Sequence, residues 1–418
     1  MSTATPIQTE VLVIGAGIIG ISIALKLQSE GKQVTVLDNQ DPKARTSMGN
    51  AGAFAFADVI PLATPGIMSK APKWLLDPLG PLSIPPRYAL SILPWMLHFW
   101  RASWKDRYHQ ALSAQSSLMN LSKAALERQI ETTQAEHLIR REGQLQLYQG
   151  EKEFLASLAG WQTRKQHGVT FELLESPEAI AAIQPGLDKS FTHAGFTPEW
   201  KNTVHPAKWL THLSQAFVDG TGQILNDHAQ LIELKSDSVF VKGQTCDYQA
   251  QQVVVAAGAW SKTLAASIGD SLPLETERGY NTTLPAGAFA LKTHITFSNH
   301  GFVVSKVGDQ IRVGGAVELG GLALPPNYQR SQMLLDKAKR FMPALKTEGG
   351  EQWMGFRPSM PDSLPVISRS SRSDRVVYAF GHGHLGLTQS AGTAELVSDL
   401  IHQRPSAIDI APFSAQRF

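Results

Sequence analysis

Residues 11–20 read Val-Leu-Val-Ile-Gly15-Ala-Gly17-Ile-Ile-Gly20, a buried strand that runs straight into a three-glycine turn. No other stretch constrains the fold as much. Gly15 suits the tight turn, Gly17 lets the backbone approach a pyrophosphate, and Gly20 lets the next helix pack on the strand. The first N–H groups of that helix, around Ile18 and Ile19, then face negative charge. Ile18–Leu27 continues as the helix and Gln33–Leu37 as a second strand, ending in Asp38 and Asn39. Asp38 follows Gly20 by 18 residues, where a carboxylate can accept hydrogen bonds from a ribose. Strand, glycines, helix, strand and acid in this order predict a βαβ nucleotide-binding unit.

A chain of 418 residues exceeds one ordinary core and predicts two domains. The net charge of +2 gives no basis for expecting a nucleic-acid partner. Cys246 is the single cysteine, which excludes an intrachain disulfide and a cysteine metal cluster and fits a reducing compartment. The first ten residues lack the basic start of a secretory signal, and no apolar run reaches the ~18 residues that span a bilayer. A cytoplasmic protein is expected. Residues 88–104 contain Trp95, Trp100 and Trp104, with Arg101, Lys105 and Arg107 at one end. This segment reads either as a helix packed on the first domain or as a peripheral contact with the cytoplasmic face of the inner membrane.

Residues 42–56 are rich in small residues and can lie flat against a ligand, and the seven prolines in 58–86 predict irregular structure leaving the first domain. Helices are expected at 88–104, 108–139, 151–167, 206–218, 328–341 and 386–402. Alternating strands from about 273 predict an antiparallel sheet. The expected fold is α/β: a Rossmann-like domain of residues 1–78, 201–272 and 351–418, and a substrate domain of 79–200 and 273–350 built on a mostly antiparallel sheet.

Four further motifs bear on chemistry. Val253–Ser261 is a second buried strand ending in a small-residue turn at Ala257, Gly258 and Trp260, placed to close a dinucleotide site beside the first. Gly381-His-Gly383-His384-Leu-Gly386-Leu387-Thr388 lies between a strand and a helix, so the helix N-terminus offers donors to an electron-rich ring. Its two histidines lack nearby acidic or thiol ligands, so no metal is expected. In Trp353–Pro365, Arg357 sits between glycine and proline, and its planar fork suits a carboxylate. In Glu277–Asn281, Gly279 marks a bend and Tyr280 either hangs a hydroxyl over a pocket or packs in the sheet.

The ordered set Gly15–Gly20, Ser47–Gly52, Val253–Ser261, Glu277–Tyr280, Gly314–Leu319, Trp353–Pro365 and Gly381–Thr388 resembles the FAD-dependent D-amino-acid oxidase superfamily over about residues 10–404. Within it the chain is most similar to bacterial D-amino-acid dehydrogenases. The resemblance implies extended FAD, with its ADP end at Gly15, Gly17, Gly20 and Asp38. It places Ser47, Asn50, Ala51 and Gly52 along the pyrophosphate and flavin. Ala229 would sit by the adenine, and Gly383, His384, Gly386, Leu387 and Thr388 at the flavin pyrimidine edge. Asp38 stands where Glu is common, and Ala229 where Val is frequent. The loop around Met48, Asn50 and Ala51 has no Cys or His for covalent attachment, so the FAD is expected to be non-covalent.

The same resemblance makes Arg357 the clamp on the substrate carboxylate, with Tyr280 and His384 as further active-site groups. The implied reaction takes a D-amino acid to its imine by hydride transfer from Cα to flavin N5. The imine then hydrolyses to a 2-oxo acid and ammonium, and the electrons pass to a quinone-type acceptor. Four alternatives stay open: a D-proline or hydroxy-D-proline dehydrogenase, a glycine- or sarcosine-oxidase-like enzyme using oxygen, a non-catalytic flavin-binding redox subunit and, from the first motif alone, a nicotinamide dehydrogenase.

Overall fold

The computed structural model describes residues 5–39, 45–68 and 82–418. Parts of the small-residue loop 42–56 and of the proline-rich stretch 58–86 therefore lie outside the described residues. The strand Ile7–Ile14 pairs in parallel with Val34–Asp38 on one side and Asp247–Val255 on the other. Gln223–Asn226 extends the sheet beyond the second strand. Val376–Phe380 pairs with the C-terminal part of Asp247–Val255, and Val366–Arg369 closes that edge. Alternation explains the burial: Val11 and Val13 face one core with Ile21, Val254 and Leu396, while Leu12 and Ile14 face another with Val253, Val255 and Tyr378. A parallel sheet covered on both faces needs such unbroken apolar strands.

Glycine sets the first turn. Gly15 has a φ of +111°, and a Cβ there would lie 2.5 Å from the Ala256 carbonyl oxygen. A Cβ on Gly20 would lie 1.8 Å from the Gly15 carbonyl oxygen, so the helix Ile18–Ser29 can sit this close to the strand only without a side chain there. The second small-residue turn is adjacent, with the Ala256 N–H donating to the Ile14 carbonyl at 2.8 Å.

The other large sheet is mostly antiparallel. Glu275–Leu284 lies between Glu351–Ser359 and Gln310–Leu319. Phe302–Val307, His294–Phe297, Gln144–Gln149 and Phe191–Thr197 follow outward. Its side chains alternate between two faces. Leu145, Leu147, Ile295, Phe297, Ile311 and Val313 pack against Leu334, Leu335 and Phe341 of the helix Gln329–Phe341. The opposite face looks toward the parallel sheet.

Three expectations are corrected. The strand Glu351–Ser359 belongs to the antiparallel sheet by its pairing, so the change of sheet falls after Ser359. The helix Lys105–Thr132 packs through Ala114, Leu118 and Leu126 in the core of the parallel sheet, although it was expected in the substrate domain. Gly392 allows that contact, since a Cβ there would meet the Ser122 hydroxyl. This helix also stops at Thr132, short of the expected 139, because Gln134 turns left-handed at φ 54°. The Thr132 and Thr133 hydroxyls donate back to the carbonyls of Arg128 and Gln129 in the last turn.

The helix Ala89–Ala102 buries Ile92 and Trp95 against Leu319. Its other face leaves Leu90, Leu93, Leu97 and Trp100 exposed, and Trp104 continues that stripe. No helix among the described residues is long and apolar enough to cross a membrane.

Asp227 organises the turn after Gln223–Asn226. Its carboxylate accepts from the backbone N–H groups of His228, Gln244, Thr245 and Cys246 and from the Tyr248 hydroxyl. Burial opposes its ionisation, but these donors outweigh that and hold the carboxyl at about 2, below its usual 3.8. The stabilisation is present above the usual value and is lost as pH falls through the lower one. Asp227→Ala is expected to lose roughly 1–3 kcal/mol at neutral pH. The gap from the parent should shrink on acidification toward about 2, measured by urea unfolding at a series of pH values.

Candidate functional site

A cavity of about 720 Å³ lies between the C-terminal ends of the parallel strands and the front face of the antiparallel sheet. Ligand cavities of this kind span ~300–1,000 Å³. The sheet contributes alternate residues: Glu277, Gly279 and Asn281 from one strand, Arg312, Gly314 and Ala316 from the next, and Trp353, Gly355 and Arg357 from the third. Farther along, His294, Thr296, Gln144 and Gln146 continue the same wall.

At the parallel-sheet end the cavity is lined by Gly15, Gly17, Ile18, Ile19, Asp38, Asn39, Ala229, Ala257, Gly258 and Trp260. Gly20 is absent from the lining because it is consumed by helix packing. A Cβ on Gly17 would meet only the Ser47 hydroxyl, at 3.6 Å, so the backbone there is open to close approach. One oxygen of Asp38 accepts from the Ala16 N–H at 2.7 Å, and the other pairs with Arg45 at 3.2 Å. The carboxylate thus braces the glycine turn from within the cavity. Ser47 lines the cavity too, and its hydroxyl accepts from the Ile18 N–H at 3.1 Å.

Asn50 and Ala51 line the middle of the cavity; Gly52 does not. Gly52 serves the backbone instead: its φ is +80°, and a Cβ would sit 3.3 Å from the Thr203 carbonyl oxygen. Two side chains of the antiparallel sheet hold this loop. Arg312 donates to the Asn50 carbonyl at 2.6 Å, and Asn281 donates to the Gly49 carbonyl at 3.0 Å. Burial lowers the Arg312 guanidinium to about 10, which still leaves it cationic at neutral pH. Gly383, His384, Gly386 and Leu387 line the cavity where the 16-residue helix Gly386–Ile401 begins. Thr388 is buried behind them, its hydroxyl accepting from the Ala55 N–H at 2.9 Å. Gly20, Gly52 and Thr388, all expected at the ligand, therefore shape the wall without lining it.

Arg357 lies across Gly279, where a Cβ would come within 2.2 Å of its Nη2. Its Nη1 donates to the Ala316 carbonyl at 3.1 Å. Ala316 holds a left-handed φ of 56°, an unusual conformation for alanine, and presents that carbonyl to the guanidinium. Burial lowers the Arg357 pKa, and neighbouring Glu277 counteracts part of this. His384 opens to the cavity yet is walled by protein. Burial, then the Arg357 charge, pulls it down to about 4, so the ring is neutral at physiological pH.

Tyr280 borders the cavity as well, but its hydroxyl is engaged elsewhere. It stands at even parity in its strand, beside Arg278, while Glu277 and Gly279 face the cavity. Its hydroxyl donates to Glu318 and accepts from the Asn327 N–H, each at 3.0 Å. The expected catalytic hydroxyl is spent in a buried network in which Arg278 also binds Glu318 and the carbonyls of Gly321, Leu324 and Pro325. The cavity residues that had no assigned role in the sequence include Glu277, Arg312, Ala316 and Trp353. For Glu277 and Trp353 the signal was present, because Glu277-Gly-Asn281 and Trp353-Gly-Arg357 follow the period of two that puts them on one face. No group of three or more potential metal ligands occurs among the described residues.

The sequence matches the DAO family, FAD dependent oxidoreductase, over residues 10–400. The chain belongs to this family. It is 34% identical to a D-amino-acid oxidase of Bradyrhizobium diazoefficiens, with 98% of each chain covered. It is 30% identical to a D-amino acid dehydrogenase of Rhizobium rhizogenes, covering 98% of this chain and all of the other. Among solved structures, glycine oxidase from Geobacillus kaustophilus superposes with a TM-score of 0.78 at 20% identity, covering 98% and 99% of the two chains. The fold is therefore that of FAD-dependent oxidoreductases, with a mixed nucleotide-binding sheet whose central strands are parallel and a mixed, mostly antiparallel second sheet.

Two outcomes follow from this geometry. Gly279→Ala is expected to push Arg357 aside and lower kcat/KM for a carboxylate substrate by roughly 10²-fold while FAD content is kept, read by steady-state kinetics and flavin absorbance. Since His384 is already neutral, His384→Asn should leave the shape of the pH–rate profile unchanged between about pH 5 and 8. A new ionisation appearing in that window would contradict this.

Proposed function

We propose that this chain oxidises a D-amino acid to its imine, which water converts to a 2-oxo acid and ammonium, using non-covalent FAD. The observation that carries this reading is Arg357: a guanidinium on the cavity wall whose Nε and Nη2 have no hydrogen-bond partner among the described residues. That free edge suits bidentate capture of an α-carboxylate. The D configuration rests on the relatives' names. The cavity fits FAD in its chemistry: an open glycine turn and Asp38 at one end, a small-residue loop in the middle, and a long helix's N-terminus at the other. Gly15, Gly17, Asp38, Ser47, Asn50, Ala51, Gly383 and Gly386 would hold it. When bound, FAD supplies a two-electron acceptor for the hydride from Cα. Arg357 fixes the substrate by its carboxylate, and the neutral His384 adds no positive charge beside it. The two-domain division is proposed with its boundary moved to Ser359.

Electrons are proposed to leave to a quinone-type acceptor at a membrane surface. The exposed stripe Leu90, Leu93, Leu97, Trp100 and Trp104, flanked by exposed Arg87, Lys105 and Arg107, has the make-up of an interfacial helix. A second reading, direct use of oxygen, is favoured by the relative named D-amino-acid oxidase.

Anaerobic flavin bleaching against a panel of D- and L-amino acids, including proline and glycine, tests the substrate. Bleaching by D-amino acids is expected, and Arg357→Ala should cut its efficiency by 10²-fold or more. Unchanged bleaching in that variant would sink the reading. For the acceptor, cosedimentation with anionic vesicles is expected for the parent and lost in Leu93→Glu/Leu97→Glu. Stoichiometric peroxide in air, with no quinone reduction, would favour the oxidase reading.

A further inference from the structure

We propose that Glu277 is the recognition site for the α-ammonium group of the substrate, working beside Arg357 as the site for the α-carboxylate. The proposal rests on the amino-acid reading above and adds to it a second charged contact.

Glu277 and Arg357 are direct cross-strand partners in the antiparallel sheet. Such partners put their side chains on the same face, with Cβ atoms about 4.5–5.5 Å apart. Both line the cavity. They do not close into an ion pair with each other: Arg357 donates to the Ala316 carbonyl, and Glu277 accepts from the Ser359 hydroxyl at 2.7 Å. The second carboxylate oxygen of Glu277 accepts no hydrogen bond from a described residue, although the side chain is only 5% exposed.

A buried carboxylate with one neutral donor is poorly satisfied. Burial raises its pKa, against the pull of Arg357, and so makes it a stronger base. An α-amino acid carries an anionic and a cationic group one carbon apart, which is the charge pair this wall presents in complementary order. Seated between them, the ammonium donates to the free oxygen of Glu277. One proton can then pass from nitrogen to that oxygen: the N–H bond breaks, an O–H bond forms, and nothing is oxidised. The amine is left neutral, the form able to release hydride.

The test compares D-alanine with propionate, which is the same molecule without its amine, on the FAD-loaded parent and on Glu277→Gln. Ser359 can still donate to the glutamine carbonyl, so the variant keeps the local hydrogen bond. Propionate affinity is read from the shift in flavin absorbance. D-alanine affinity is read from the concentration dependence of anaerobic flavin reduction. Glu277→Gln is expected to weaken D-alanine ten-fold or more while propionate binds unchanged or tighter, because a competing negative charge is gone. Glu277→Asp, which keeps the charge on a shorter arm, should fall between. If both ligands weaken by the same factor, Glu277 only positions Arg357 and the proposal is overturned. It is equally overturned if neither changes. A parent enzyme that binds neither ligand would instead overturn the reading of Arg357 itself.

Discussion

Residues 46–50 are gripped from two sides, and the cavity exists because of that grip. On one side the Ser47 hydroxyl accepts from the Ile18 N–H at the start of the first helix, tying the loop to the glycine turn. On the other, the Thr46 hydroxyl donates to the Phe356 carbonyl, Asn281 to Gly49 and Arg312 to Asn50, all on the antiparallel sheet. A loop of small residues has little side-chain surface of its own to bury. Its position is set by these polar contacts, which also hold the front face of one sheet over the strand ends of the other.

The electrostatics of the cavity follow from the same face. Arg312 and Arg357 project from two strands, and Glu277 from the strand between them. Each cation is stabilised by backbone carbonyls: Arg312 by those of Asn50 and Met48, Arg357 by that of Ala316. A carboxylate ligand therefore meets a guanidinium that forms no ion pair with a carboxylate among the described residues. His384, held neutral by burial and by Arg357, leaves that charge balance undisturbed across physiological pH. Glycine makes the arrangement possible, since Gly279 leaves the space that the Arg357 fork occupies, and Gly49 and Gly355 leave the space for the Trp353 ring.

Much of the fold was legible because its signals are local. The strand–glycine–helix order, the acid at Asp38 and the period-two strands all report backbone geometry that neighbouring residues dictate. What was illegible depended on a partner distant in the chain. Thr388 looks like a ligand residue in its turn, but its hydroxyl is claimed by Ala55, 333 positions away. Tyr280 looks like an active-site tyrosine and borders the cavity, but its hydroxyl is engaged by Glu318, 38 positions away. The early end of the Lys105–Thr132 helix turns on one left-handed residue, Gln134, which carries no glycine to announce it.

The sequence by itself determined the tight turn at Gly15, the open backbone at Gly17 and the carboxylate at Asp38, because these are properties of residues close together in the chain. It determined also that Arg357 is a candidate clamp. Only the tertiary structure decided what that clamp faces. The pairing of Glu277 with Arg357, the left-handed Ala316 carbonyl, and Arg312 across the loop all join segments far apart in the chain. Their charges interact through space, so no reading along the chain places them together.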